Sequence, residues 1–171
     1  DNCGFTMVYL DDPYTDKVEY CLLRVFNELS CKMSIFQIPT DAQVTLSDDT
    51  YENLCEKAGY EIPITLNLSD IGTYFSERET KYEMINAVMQ DYIGGIEVRS
   101  YEALDYDTFI QMIDLVNPVS FELTQIVSYL DENGETVQLA PNEEYLVDGK
   151  MALGMLTDSD GFGNGDGGRI D

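Results

Sequence analysis

Short apolar runs broken by turn residues are the feature that most constrains this chain. Phe5 to Leu10 closes on Asp11-Asp12-Pro13, the pattern of a buried strand entering a turn. Tyr20 to Phe26 and Met33 to Ile38 are runs of the same kind, and the polar Asn27-Glu-Leu-Ser30 between them predicts a hairpin. The period then changes. Between Glu77 and Tyr92, the residues Tyr82, Ile85, Val88, Met89 and Tyr92 recur at helical spacing and make one apolar stripe, ended by Gly94-Gly95. A shorter helix is expected over 47–58, with Ser47 or Asp48 as N-cap and Gly59 as its stop. Ile96 to Val98 with Tyr101 to Leu104 predicts a further strand. Asp107 is placed to cap a second amphipathic helix that turns Phe109, Ile110, Met112, Ile113 and Val116 to the core. Phe121 to Leu130 reads as extended, Asp131 to Gly134 as a turn before Thr136 to Leu139, and Asp148-Gly149 as the start of a last helix, Lys150 to Leu156. Strands alternating with helices predict a layered α/β domain, and a hairpin near each end predicts a mixed sheet.

With 171 residues, 44% of them hydrophobic, the chain suits a single domain over 1–171. Its charge is the outlier. Nine basic residues against 33 acidic ones leave a formal −24, with no histidine. Such a surface repels phosphate backbones and anionic lipid headgroups, so nucleic acid is not an expected partner. Cys3, Cys21, Cys31 and Cys55 have neither Cys-x-x-Cys spacing nor histidine partners, which argues against zinc and for buried free thiols, one disulfide being the alternative. A hairpin around Asn27 to Ser30 would set Cys31 opposite Phe26 rather than Cys21. No apolar run approaches the roughly 18 residues of a membrane span. The chain starts without methionine or a signal-peptide pattern and ends abruptly, which reads as a segment of something longer, trimmed at both ends. The acidic, glycine-rich stretch 157–168 is expected to be flexible.

Without histidine, the Ser-His-Asp and Cys-His mechanisms are excluded. No Walker-type or dinucleotide glycine fingerprint follows a strand. The Asp158-x-Asp160 and Asn164-x-Asp166 spacing fails as a calcium loop, because Phe162 stands where an oxygen ligand belongs and no closing glutamate follows. The tail glycines read as flexibility, since adjacent aspartates would repel phosphate. Carboxylates are so abundant that a glycosidase pair cannot be read from sequence. The aromatic and methionine residues of the two best helices read first as core and second as the lining of a lipid pocket.

Five segments in series carry a resemblance. Residues 96–114, from Ile96-Glu-Val to Gln111-Met-Ile-Asp114, are similar without a gap to a family pattern I-P-I-D-Y-Y-V-V-V-D-F-D-G-F-V-K-L-V-D. Leu146-Val-Asp-Gly-Lys-Met-Ala-Leu153 resembles that family's L-D-G-E-Q-A-L helix start, and Gly165-Asp-Gly-Gly-Arg-Ile170 its G-D-F-G-R-I element. With the first strand ending at Asp12 and the Ile38-Pro-Thr-Asp41 turn, the chain resembles the LytR–CpsA–Psr family of bacterial cell-envelope proteins over nearly its whole length. The resemblance implies a three-layer α/β/α sandwich with a central mixed sheet. It places the domain on the outer face of the cytoplasmic membrane, held by a membrane tether outside this chain. It implies transfer of glycopolymers from a polyprenyl-pyrophosphate carrier to peptidoglycan, with arginines on the pyrophosphate, a magnesium ion beside it and an apolar tunnel for the lipid. Guanidinium groups and a cation suit charge developing on a phosphoryl group.

Carried over position by position, Asp12 matches the aspartate after the first strand and would hold the metal. Asp41 matches the aspartate of the Pro-Arg-Asp turn and would be catalytic, and Arg169 matches the late arginine that binds substrate. Thr40 stands where the family has the turn arginine. Thr157 and Ser159 stand where it has the two arginines of V-R-S-R. Asp16 and Glu19 compete for the aspartate of the second strand's lead-in. Each lost charge-stabilising group costs about 3 kcal/mol in a transition state. The preferred reading is therefore a divergent, non-catalytic member that binds polyprenyl-phosphate lipid or cell-wall glycopolymer. An active magnesium-dependent phosphotransferase using Asp12, Asp41 and Arg169 is the alternative. An acidic surface domain for protein contacts is a third reading.

Overall fold

The computed structural model describes residues 3–157 except 99, 117, 118, 125 and 132. The chain divides into two compact units, Asp1–Leu104 and Asp105–Asp171.

The first unit is built on a four-stranded sheet in the order β3-β2-β1-β6. Strand β1 (Cys3–Asp11) pairs antiparallel with β2 (Val18–Asn27), and β2 pairs antiparallel with β3 (Lys32–Gln37). On the other side β1 runs parallel to β6 (Ser100–Leu104), so the sheet is mixed, as the sequence predicts. A short pair, β4 (Gln43–Thr45) with β5 (Thr65–Asn67), lies apart from this sheet. The β2–β3 hairpin is present, with its turn one residue later along the chain than the sequence suggested. Phe26 faces Met33 and Asn27 faces Lys32, which leaves Cys31 in the turn at φ 52°. All four thiols are free, and only Cys21 is buried; Cys31 is exposed because its turn projects from the sheet.

Helix α1 (Asp48–Ala58) begins as its cap residues dictate. The Ser47 hydroxyl accepts from the Thr50 amide, and Gly59 closes the helix in the left-handed conformation at φ 78°. Helix α2 (Arg78–Tyr92) buries Tyr82, Ile85, Val88 and Met89 together with Met84, whereas Tyr92 is half-exposed at the helix end. Met7 and Tyr9 of β1 join these residues in one core with Cys21, Leu23, Leu54 and Ile71. Ile96 to Val98 is not part of β6, which starts at Ser100 after the turn at Gly94 and Gly95, both in the left-handed region.

The second unit has its own small core of Leu123, Val127, Tyr129 and Leu139. Helix α3 (Tyr106–Leu115) is capped by Asp105, not Asp107: the Asp105 carboxylate accepts from the Thr108 amide at 2.8 Å. Asp107 lies in the first turn, where its charge complements the helix dipole. The expected apolar face of α3 is only half-buried at Phe109, Ile110 and Ile113, and Met112 and Val116 are exposed, because a core of four buried residues cannot cover it. The extended stretch 121–130 is two strands. Strand β7 (Val119–Glu122) pairs with β10 (Glu144–Val147), and β8 (Val127–Leu130) pairs with β9 (Thr136–Leu139) across the turn at Asp131. Helix α4 (Gly149–Thr157) starts where Asp148 accepts from the Met151 amide at 2.8 Å.

Candidate functional site

Strands β1, β3 and β6 run in the same direction, so their carboxyl ends share one edge of the sheet. In open α/β sheets that edge is where ligands bind. Asp11 ends β1 and Asp12 follows it, and the Ile38–Asp41 turn follows β3. A 3-10 helix over Leu68–Tyr74 ties these loops together. Its Ser69 amide donates to the Thr40 carbonyl at 2.8 Å, and its Asp70 carboxylate meets the Lys17 ammonium at 2.7 Å. Hydrogen bonding and the charge of Asp70 raise the Lys17 pKa, burial opposing them only slightly.

Asp11, not Asp12, is the carboxylate built into this edge. The β1–β2 register shifts between Leu10 and Asp11. That shift falls on β2, and Asp11 keeps the face of Met7 and Tyr9 on the α2 side, where the Tyr82 hydroxyl donates to Oδ2 and Lys81 Nζ lies 3.2 Å from the same oxygen. Both partners of this ion pair are nearly buried, at 8% exposure for Lys81 and 13% for Asp11. Asp11 Oδ1 is buried without a partner. Burial, then the bond to Asp11, pushes the Tyr82 phenol far above its usual range, so it remains a neutral donor.

An aromatic stack backs the pair. Tyr9, Tyr82 and Tyr101 form a triangle: Tyr82 stacks on Tyr9 at 5.7 Å and on Tyr101 at 5.2 Å between centroids, and Tyr9 and Tyr101 are 6.4 Å apart and tilted. The Tyr9 hydroxyl donates to Asn86 Oδ1 at 2.5 Å. Arg78, one helical turn before Tyr82, places its guanidinium 5.6 Å from the Tyr82 centroid and reaches the Ala103 carbonyl near the end of β6. Arg24 lies on the opposite face, on β2 beside Thr6, and is paired with Glu102.

Asp12 serves its own turn. Its Oδ1 accepts from the Tyr14 amide at 2.8 Å and its Oδ2 from the Thr15 hydroxyl at 2.5 Å. Magnesium favours carboxylate oxygens facing an open position, usually beside substrate phosphate. These two aspartates do not fit it, since Asp12 is bound into its loop and an ammonium already sits on Asp11. Among the described residues no three His, Cys, Asp or Glu side chains cluster to hold a metal. Asp41 is exposed in its turn, and the Ala42 amide closes that turn on the Pro39 carbonyl. The Thr157 hydroxyl donates back to the Leu153 carbonyl within α4. Arg169, Ser159, Asp158 and Asp160 lie outside the described residues, as does Arg99.

The family model LytR_cpsA_psr matches residues 21–171. The chain belongs to the LytR_cpsA_psr family. Three solved structures similar to this family member share its fold. Protein gbs0355 from Streptococcus agalactiae is 14% identical, with a TM-score of 0.72 over 99% of this chain and 56% of its own. B. subtilis TagV is 14% identical, with a TM-score of 0.68 over 98% of this chain and 59% of its own. The family protein YwtF (TagT), with bound octaprenyl pyrophosphate lipid, is 14% identical, with a TM-score of 0.60 over 90% of this chain and 56% of its own. The chain thus spans a little over half the length of these structures. Comparison with curated proteins gives no match.

Sequence reasoning missed Lys81, and the carboxylate that Lys81 meets is Asp11 rather than Asp12. A signal for Lys81 was available: it stands three, four and seven residues from Arg78, Ile85 and Val88, inside the apolar stripe rather than opposite it.

Proposed function

We propose that this LytR_cpsA_psr domain acts in cell-envelope assembly as a binding module for polyprenyl-phosphate lipid or cell-wall glycopolymer, outside the cytoplasmic membrane, and does not catalyse transfer. The observation that carries this reading is the Asp11–Lys81–Tyr82 contact. The carboxylate at the end of the first strand is neutralised from within the fold, and Thr40 offers no guanidinium to a phosphate. The lipid in the TagT structure supports the ligand class. Among the described residues no helix is long and apolar enough to cross a membrane, so membrane attachment in this reading comes through a tether outside the chain.

The test is incubation with a polyprenyl-pyrophosphate sugar donor, an acceptor glycan and magnesium, beside sedimentation with phosphatidylcholine vesicles carrying polyprenyl pyrophosphate. Vesicle binding without turnover is expected. Turnover that Asp41→Ala abolishes would instead establish an active transferase. Arg78 favours that second reading, since its guanidinium reaches the carboxyl end of β6 and could replace the missing turn arginine. Neither turnover nor vesicle binding would leave the acidic surface to protein partners.

A further inference from the structure

We propose that Lys81 is a built-in counter-ion for Asp11, its ammonium standing where a divalent cation would otherwise sit on that carboxylate. The edge of this sheet therefore takes no metal at Asp11.

Three features make the lysine part of the architecture rather than an incidental neighbour. Lys81 is buried, on the face of α2 that also buries Ile85 and Val88. Its stem passes over Gly72, where a Cβ would lie 2.6 Å from Lys81 Cε and 2.5 Å from the Asp16 carbonyl oxygen, so the absence of a side chain there keeps the passage open. Its Nζ meets the same Asp11 oxygen to which Tyr82 donates, and stands 5.5 Å from the Tyr82 centroid. A cation over the face of that ring is itself favoured. A buried carboxylate needs a positive partner. An ammonium and a divalent cation cannot share one carboxylate without strong mutual repulsion in so dry a place. Replacing the lysine by an uncharged side chain of similar length would leave Oδ2 without its cation, beside the already unpartnered Oδ1. A charged carboxylate with one oxygen unpartnered and the other held only by the Tyr82 hydroxyl is what a divalent cation recruits. The inference concerns the cation alone and holds whether the domain binds or transfers.

The chain has no tryptophan and twelve tyrosines, so terbium luminescence excited through tyrosine reports ions near any of them, and a site beside Tyr9, Tyr82 and Tyr101 is read as the gain of Lys81→Met over the native domain. Magnesium titration by calorimetry and terbium titration by luminescence are run on the native domain, Asp11→Asn, Lys81→Met, Lys81→Gln and the Lys81→Met/Asp11→Asn double variant. Native protein and Asp11→Asn are expected to give the same isotherms, which count only the acidic surface. Lys81→Met is expected to gain one bound cation per chain, absent from the double variant, and magnesium should raise its melting temperature more than that of the native domain. Magnesium binding in the native protein that Asp11→Asn removes would overturn the proposal. So would a folded Lys81→Met or Lys81→Gln that gains no site. If both Lys81 variants fail to fold, the native against Asp11→Asn comparison still decides: identical isotherms uphold the proposal, and an Asp11-dependent site refutes it.

Discussion

Removing the Lys81 ammonium is the sharpest perturbation of stability this fold offers. With Nζ and Oδ2 3.2 Å apart and little water at either group, the attraction at an effective dielectric of 20 is about 5 kcal/mol. Lys81→Met keeps the stem that packs over Gly72 and strands the carboxylate, for which measured buried pairs give a loss of ~3–5 kcal/mol. Against a total of ~5–15 kcal/mol for a domain this is a large share. Replacing both partners, as Asp11→Leu with Lys81→Met, removes the stranded charge and should recover most of the loss. Urea unfolding followed by circular dichroism and tyrosine fluorescence reads both variants and the two singles as a cycle. The reasoning is refuted if Lys81→Met costs under ~1 kcal/mol, the value of a surface pair, or if the double variant is as weak as the sum of the singles.

Close packing in the second unit sets another test. A Cβ on Gly149 would lie 2.4 Å from the Ile110 carbonyl oxygen and 2.8 Å from its Cα, so Gly149→Ala must part α3 from α4 and should cost about 1–3 kcal/mol by thermal melting. The Asp91 carboxylate, which burial would raise, is held below its usual range by hydrogen bonds from Ser47 and Thr50. Its folded pKa is depressed, so its contribution is present above the unfolded value near ~3.9 and is lost as pH falls through the folded one. Asp91→Asn should therefore destabilise at neutral pH, by about 0.5–1.5 kcal/mol, and the difference should vanish in acid denaturation below that window. Burial pushes the Cys21 thiol far up, whereas Cys31 is exposed in its turn. Iodoacetamide should label Cys31 within minutes and spare Cys21 until the protein unfolds, with mass spectrometry as the readout.

Much of the fold was legible because its signals are local. Ser47 and Gly59 bracket α1 as their side-chain and backbone preferences demand, and the apolar stripe of α2 matches its buried face at all but Tyr92. Asp105 was missed as a cap because Asp107 satisfies the same rule two residues later, and only the extended backbone at Asp105 separates them. The burial of α3 was overestimated for a different reason. An apolar stripe says which face a helix would turn inward, while how much of it is covered depends on the neighbours available.

The amino-acid sequence by itself determined the order of strands and helices, the mixed sheet, the acidic surface and the family, because periodicity, capping and motif order are properties of the chain taken a few residues at a time. The choice between Asp11 and Asp12 belonged to the tertiary structure. Successive side chains of a strand alternate between faces, which sets Asp11 with Met7 and Tyr9, but only the packed structure shows that this is the face α2 covers and that Asp12 stays in its loop. The partner was equally invisible, since Lys81 lies 70 residues from Asp11 along the chain and meets it only when α2 packs on the sheet.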